Sequence, residues 1–282
     1  MSEPAILRYT AFTDSPAGGN PAGVVLDASA LDGARRQAIA AELGYSETAF
    51  ATPRADGDYD VRYFSPEAEV PFCGHATIAT AVALAERDGA GPRRFHTRAG
   101  TVPVDTETAG HAITATLTSV VPHVETAPDA LLHAALKALR YDPGTDLDPT
   151  LPPRIAYAGA RHLILAAATR ARLADLDYDF DALKRTMQAH DLTTVDLVHR
   201  TDDAPHTFHA RNPFPVGGVI EDPATGAAAA AFGAYLREVG AIDPPATLTI
   251  HQGDDMGRPS RLTVTIAADR PEIRVSGRAV AM

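Results

Sequence analysis

One cysteine, two lysines and no long apolar run mark what this 282-residue chain lacks. A single thiol, Cys73, excludes an intrachain disulfide and a multi-cysteine metal site. It also makes a reducing cytoplasm the default expectation. Lys137 and Lys184 both stand in charged, helix-like stretches, LLHAALKALR and DALKRTMQAH. Schiff-base or pyridoxal-phosphate chemistry needs a lysine activated in a pocket, and neither setting suits it. The longest apolar stretch, 226–236, falls well short of the about 20 residues that cross a bilayer. Met1-Ser2-Glu3-Pro4 carries neither the basic nor the apolar region of a signal peptide. A basic face is missing as well. The formal net charge is −11 with both signs scattered, which argues against nucleic acid and against an anionic membrane surface.

What is present is an ordinary globular composition, 45% hydrophobic and 22% charged, in a chain long enough for two domains. The chain also repeats itself. Glu69-Val70-Pro71-Phe72-Cys73-Gly74 and Glu221-Asp222-Pro223-Ala224-Thr225-Gly226 share the pattern E-x-P-x-[CT]-G. Each runs into an alanine-rich helix, and Leu84 and Glu86 recur as Leu236 and Glu238. A duplication of such long period implies two similar halves rather than a solenoid. Helix starts present unpaired N–H groups and the positive end of the dipole, which together bind anions. Two such starts are expected to grip one small carboxylic acid.

Local patterns fill in the halves. Strands are expected at 6–12, 24–26, 46–50, 58–64, 93–97, 101–106 and 112–117, with a helix at 31–43 ending on Gly44. Residues 13–21 read as a long turn. Val120-Val121-Pro122 marks the crossing to the second half. There helices are expected at 130–139 and 180–190, and strands at 154–157, 162–167, 194–199 and 207–211. After the second alanine-rich helix come strands at 248–252, 262–266 and 273–280. Many short strands with one alanine-rich helix per half suggest an α+β fold in which a sheet wraps a central helix, where only small side chains fit. The halves are expected at residues 1–118 and 119–269, with 270–282 returning to the first.

The motifs as a set resemble the PhzF family, the phenazine-biosynthesis isomerases and their relatives. The pieces are Phe12-Thr13 with Gly19-Asn20-Pro21-Ala22-Gly23-Val24, Ser46-Glu47-Thr48-Ala49-Phe50 and Cys73-Gly74-His75-Ala76-Thr77. They continue with Arg211 and Pro215, the second glycine turn, and Gln252-Gly253 with Met256-Gly257-Arg258-Pro259-Ser260. The resemblance implies a diaminopimelate-epimerase-like fold of two pseudo-symmetric halves with the active site between them. It further implies no cofactor and a homodimer.

The resemblance places Glu47 as the main acid/base, able to take a proton from an activated C–H and return it at another carbon. A bland surface glutamate is the alternative. His75, at a helix start, would shuttle protons or simply hydrogen-bond the turn. Asp222 would assist, or merely cap a helix. Gly74, His75, Gly226 and Ala227 would offer N–H groups to the substrate carboxylate, with Ala227 where the family commonly has serine. Asn20 would contact polar substrate groups, although Asn-Pro also suits a turn. Arg211 would hold a carboxylate or a structural ion pair. The related racemases use two opposing thiols, but Pro223 stands where the second would be. His206 and His209 are spaced for opposite strand faces, so no metal is expected. The whole reads as a cofactor-independent isomerase moving a proton within a small carboxylic acid. The rivals are epimerase, dehydratase or lyase chemistry at the same site, and a non-catalytic binder of small acids.

Overall fold

The computed structural model describes residues 4–282. Met1-Ser2-Glu3, included above in the reading of a missing signal peptide, lie outside the described residues. The chain divides into two compact units, Met1–Thr118 with Ser276–Met282, and Ser119–Val275.

In the first unit the order is β1 (Leu7–Ala11), β2 (Asn20–Val25), α1 (Gly33–Leu43), β3 (Glu47–Pro53), β4 (Tyr59–Phe64) and β5 (Glu69–Val70). Then come α2 (Gly74–Asp88), β6 (Arg93–Thr97), β7 (Gly100–Ala109) and β8 (Ala112–Thr118). β2 runs antiparallel to β1 and parallel to β3, β3 antiparallel to β4, and β4 antiparallel to β5 and parallel to β6. α2 packs against β1, β2, β3, β7 and β8, and every residue from Gly74 to Ala85 is buried. A helix enclosed on this scale has room for alanine and little else. α1 covers the other side of the sheet through Ile39 and Ala40 against Val25, Phe50 and Phe64. It ends where expected, at Gly44 in the left-handed region.

In the second unit the order is β9 (His123–Thr126), α3 (Asp129–Leu139), β10 (Arg154–Tyr157), β11 (Arg161–Ala166), α4 (Arg170–Ala174), α5 (Phe180–Ala189) and β12 (Thr194–Arg200). It continues with β13 (Thr207–Pro213), β14 (Glu221–Asp222), α6 (Gly226–Glu238), β15 (Ala246–Gln252), β16 (Ser260–Ile266) and β17 (Ile273–Ala281). β11 is parallel to β12, β12 antiparallel to β13, and β13 antiparallel to β14. That is the β2–β3–β4–β5 arrangement repeated. α6 packs against β9 to β12 and β16. At Gly233 an added methyl would stand 2.8 Å from Val264 Cγ1, so the helix touches the sheet through backbone. α3 and α5 cover the outer face with Leu131, Leu139, Leu183 and Met187. The last residues of β17 belong to the first unit, where Tyr9 pairs with Ala281 and Ala11 with Ala279.

One expectation is corrected, and four short elements were missed. The long turn at 13–21 is shorter, because Asn20 and Pro21 already pair with Ala11 and Thr10 as the start of β2. Two-residue β5 and β14, four-residue β9 and five-residue α4 were not foreseen, being too short to show a period.

Candidate active site

Each glycine turn gathers its own set of side chains. In the first unit α2 starts at Gly74 behind an extended Cys73, whose side chain makes no capping bond. The first-turn N–H groups therefore receive nothing from their cap residue. His75, one residue in, is buried with a 5% exposed side chain, and Glu47 at the head of β3 is 14% exposed. Glu47 Oε2 lies 3.5 Å from His75 Nε2. Ser46 Oγ approaches the same nitrogen at 3.4 Å. On the other side of the ring, Asn20 Nδ2 lies 3.1 Å from Nδ1 and Cys73 Sγ 3.3 Å from it.

This arrangement orients the histidine. An amide nitrogen only donates, so Nδ1 accepts from Asn20 and the neutral ring carries its proton on Nε2, the nitrogen that Ser46 Oγ and Glu47 Oε2 approach. A carboxylate oxygen and a ring nitrogen then lie 3.5 Å apart at a buried helix start, with Ser46 Oγ within hydrogen-bond distance of the same nitrogen. Four of the residues singled out from sequence, Asn20, Glu47, Gly74 and His75, come together here. Asn20 reaches His75 because it opens β2 instead of sitting in a turn. Ser46 was legible only as part of a motif.

In the second unit α6 starts at Gly226, and Asp222 is not its cap. The N-cap is Thr225, without a side-chain cap bond of its own. Its hydroxyl donates instead to Asp222 Oδ2 at 2.6 Å. Gln252 fastens this turn: Oε1 accepts the Thr225 N–H at 3.0 Å, while Nε2 donates to the Asp222 carbonyl at 2.7 Å and to Thr225 Oγ1 at 3.1 Å. Gly253 makes the close approach possible. Its φ is +78°, and a Cβ there would meet the carbonyls of Arg258 and Pro223 at 2.3 and 2.8 Å. Sequence reasoning missed Thr225 and Gln252 as functional supports, although the Gln252-Gly253 pair was the available signal. Arg211 is not open to a ligand. Its Nε and Nη2 hold Glu221 at 2.9 and 2.5 Å, and Nη1 donates to the Ala174 carbonyl.

A groove of about 760 Å³ lies in the first unit around Leu7, Tyr9, Leu26, Asp27, Ala83 and Glu86. It contains none of the candidate site residues named above.

The family model of phenazine biosynthesis-like proteins, PhzC-PhzF, matches residues 9–282. The chain belongs to this family. It is 31% identical to the uncharacterized isomerase YfhB of Bacillus subtilis, over 99% of this chain and 97% of that protein. It is 32% identical to the trans-2,3-dihydro-3-hydroxyanthranilate isomerase of Pseudomonas chlororaphis, over 96% and 94%. A Bacillus anthracis PhzF-family crystal structure superposes with a TM-score of 0.89 at 26% identity, covering 100% of this chain and 98% of that one. A hydroxyproline epimerase from Agrobacterium vitis, TM-score 0.66 at 14% identity, shares the fold. The PhzF member is accordingly an isomerase, with a diaminopimelate-epimerase-like fold of helix-centred sheets.

Proposed function

We propose that this PhzF-family isomerase moves a proton within a small carboxylic acid without a cofactor, using Glu47 as the main acid/base. The observation that carries the reading is the buried approach of Glu47 Oε2 to His75 Nε2, 3.5 Å apart at the start of α2. Glu47 takes the proton from carbon and returns it at another carbon of the same molecule, so atoms and charge balance over the cycle. The N–H of His75 steadies the carboxylate between the two transfers. The substrate's own carboxylate is held by N–H groups of Gly74 and His75. In the second unit Gly226 and Ala227, with Asp222, form a glycine turn of the same kind, suited to a carboxylate. Each helix dipole adds about 0.3–1 kcal/mol, up to roughly 2 when partly buried. Each charge-assisted hydrogen bond adds about 1.5–3 kcal/mol. The enzyme would work as a homodimer in the cytoplasm, in keeping with the sequence expectations.

The Pseudomonas relatives' names make trans-2,3-dihydro-3-hydroxyanthranilate the first substrate to test. Ala227 lacks the hydroxyl that the family commonly places there, so other small acids belong in the same panel. Each is incubated with enzyme in D2O and followed by NMR. The expected result is deuterium at carbon and an isomerised product, both lost in Glu47→Gln. A ligand that binds without any exchange would identify a binding protein instead. Epimerisation is the second reading, favoured by the likeness to a predicted epimerase of Pseudomonas aeruginosa, TM-score 0.85 at 28% identity. It would show exchange at one carbon with inverted configuration and no shifted double bond.

A further inference from the structure

We propose that Glu47, Cys73 and His75 form a binding site for a thiophilic divalent cation of the zinc type. The absence of a metal was expected from the cysteine count and the histidine spacing. Those exclude a multi-cysteine site but not a mixed one. Here one thiol, one imidazole and one carboxylate bring their donor atoms within 4.8 Å of one another. Cys73 Sγ is 3.8 Å from His75 Nε2, and that nitrogen is 3.5 Å from Glu47 Oε2. A tetrahedral zinc ion, with sulfur at about 2.3 Å and nitrogen or oxygen at about 2.0–2.2 Å, holds its donors roughly 3.3–3.6 Å apart. Oε2 and Nε2 already stand near this spacing, whereas Sγ lies nearer Nδ1, at 3.3 Å, than Nε2, and Cys73 must change rotamer, moving the sulfur by about 2 Å, to reach an ion held at Nε2.

The chemistry of the donors selects the cation. A thiolate and an imidazole favour zinc over magnesium or calcium, which prefer oxygen alone. Three protein ligands leave a fourth position open, as in reactive zinc sites rather than structural ones. The thiol gives up its proton to solvent on binding. Among the described residues no arginine or lysine is paired with Glu47, so no resident cation competes. The other cluster of comparable compactness among the described residues, Asp56, Asp58 and His96, is different. There Asp58 already binds both Arg94 and His96.

Asn20 gives the site a second, separable signature. Metal at Nε2 moves the ring proton to Nδ1, which must then donate. The Asn20 amide would have to turn its oxygen toward the ring. Asn20→Asp supplies that acceptor outright and should tighten binding. Asn20→Leu removes it and should weaken binding by about 10–100-fold. A bound cation also occupies the carboxylate and ring nitrogen assigned to proton transfer and would inhibit. That consequence, unlike binding itself, rests on the proposed reaction.

The test titrates Co2+ into the full-length reduced protein, free of chelators, and reads the thiolate-to-cobalt charge-transfer absorption. Zn2+ then displaces the cobalt in competition with a chromophoric chelator. We expect one equivalent bound and loss of the band in Cys73→Ser. We also expect zinc affinity down about tenfold or more in Glu47→Gln, at least the loss that outer partners alone cause, and up in Asn20→Asp. A folded protein without a cysteine-dependent band overturns the site. So does a band whose zinc affinity ignores both Glu47→Gln and Asn20→Asp, and these two variants decide the matter if Cys73→Ser does not fold. Binding as expected with turnover unaffected by zinc would leave the site standing and remove Glu47 from the reaction.

Discussion

The two units carry the same strand order but use one register position in opposite ways. Phe64 pairs with Glu69 at the end of β4, as Pro213 pairs with Glu221 at the end of β13. Counted from these pairs, Glu47 on β3 corresponds to Thr194 on β12. Glu47 lies beside Ala22, and Thr194 beside His162. In the first unit the position is a partly exposed carboxylate facing an imidazole. In the second it is a buried hydroxyl, 2.7 Å from His162 Nδ1, that donates to Asn212 Oδ1 at 2.7 Å. Asn212 in turn donates to Asp196 at 2.9 Å. All four residues of that chain are buried. A duplicated scaffold can thus keep its polar groups for chemistry in one copy and tie them into a buried hydrogen-bonded chain in the other. Groups buried and bonded to one another fix structure, even with His162 Nε2 left without a partner, whereas a partly exposed group beside a helix start can act on a ligand.

The largest expected effect breaks this comparison at its centre. Glu47→Gln keeps the shape but cannot carry the proton, so turnover should fall by about two to four orders of magnitude. Its melting temperature should hardly move. Thr194→Val should do the reverse. It strands partners in His162 and Asn212, costing about 1–3 kcal/mol of stability, and should leave turnover at low temperature within severalfold of normal. Paired thermal melts and D2O exchange rates decide it. Swapped phenotypes would place the chemistry in the second unit.

A smaller effect sharpens the comparison one strand away. Both units pair the first glutamate of the glycine turn with an arginine of the preceding strand, Arg62 with Glu69 and Arg211 with Glu221. The side chains are 35% and 15% exposed in the first pair, 11% and 4% in the second. Arg98 also reaches Glu69. Glu221→Gln leaves a buried guanidinium uncompensated and should cost about 3–5 kcal/mol. Glu69→Gln, screened by solvent, should cost about 1 kcal/mol or less. Denaturant midpoints of the two variants give the difference directly, and equal losses would contradict the reading of one buried and one surface clamp.

These pairs also show what the sequence could reveal. The E-x-P-x-[CT]-G repeat was visible from spacing alone. So were the alanine-rich helices, because small residues in a long run signal an enclosed helix. Glu47 and His75 stood out by motif, and the structure brings them together. The first glutamate of the repeat gave no sign that it holds an arginine, since a pairing across strands depends on register, which sequence leaves open. The same holds for Gln252 gripping Thr225, and for the buried chain from His162 to Asp196. Asp222 was legible as a residue near a helix start. That Thr225 rather than Asp222 is the cap depends on dihedral angles no composition reveals.

The last effect, which cancels in the unmodified chain, concerns that buried chain and its pH dependence. Burial lifts the Asp196 carboxyl to about 7, against a pull downward from its Asn212 hydrogen bond. Burial alone pushes the His162 imidazole down to about 3. Folded Asp196 keeps its proton while the unfolded carboxyl has lost it. Its contribution is therefore full below the unfolded value of 3.8 and fades as pH rises to about 7. Folded His162 stays neutral while the unfolded ring is charged, so its contribution is full above 6.5 and fades as pH falls toward 3. Between 3.8 and 6.5 the two opposite slopes, each about 1.4 kcal/mol per pH unit, cancel. Asp196→Asn should unmask a stability that rises with pH across this window relative to the unmodified chain, and His162→Asn one that falls. Guanidinium midpoints at several pH values in that range measure both slopes. Parallel pH profiles for the unmodified chain and both variants would show that neither group is held in the buried state the network describes.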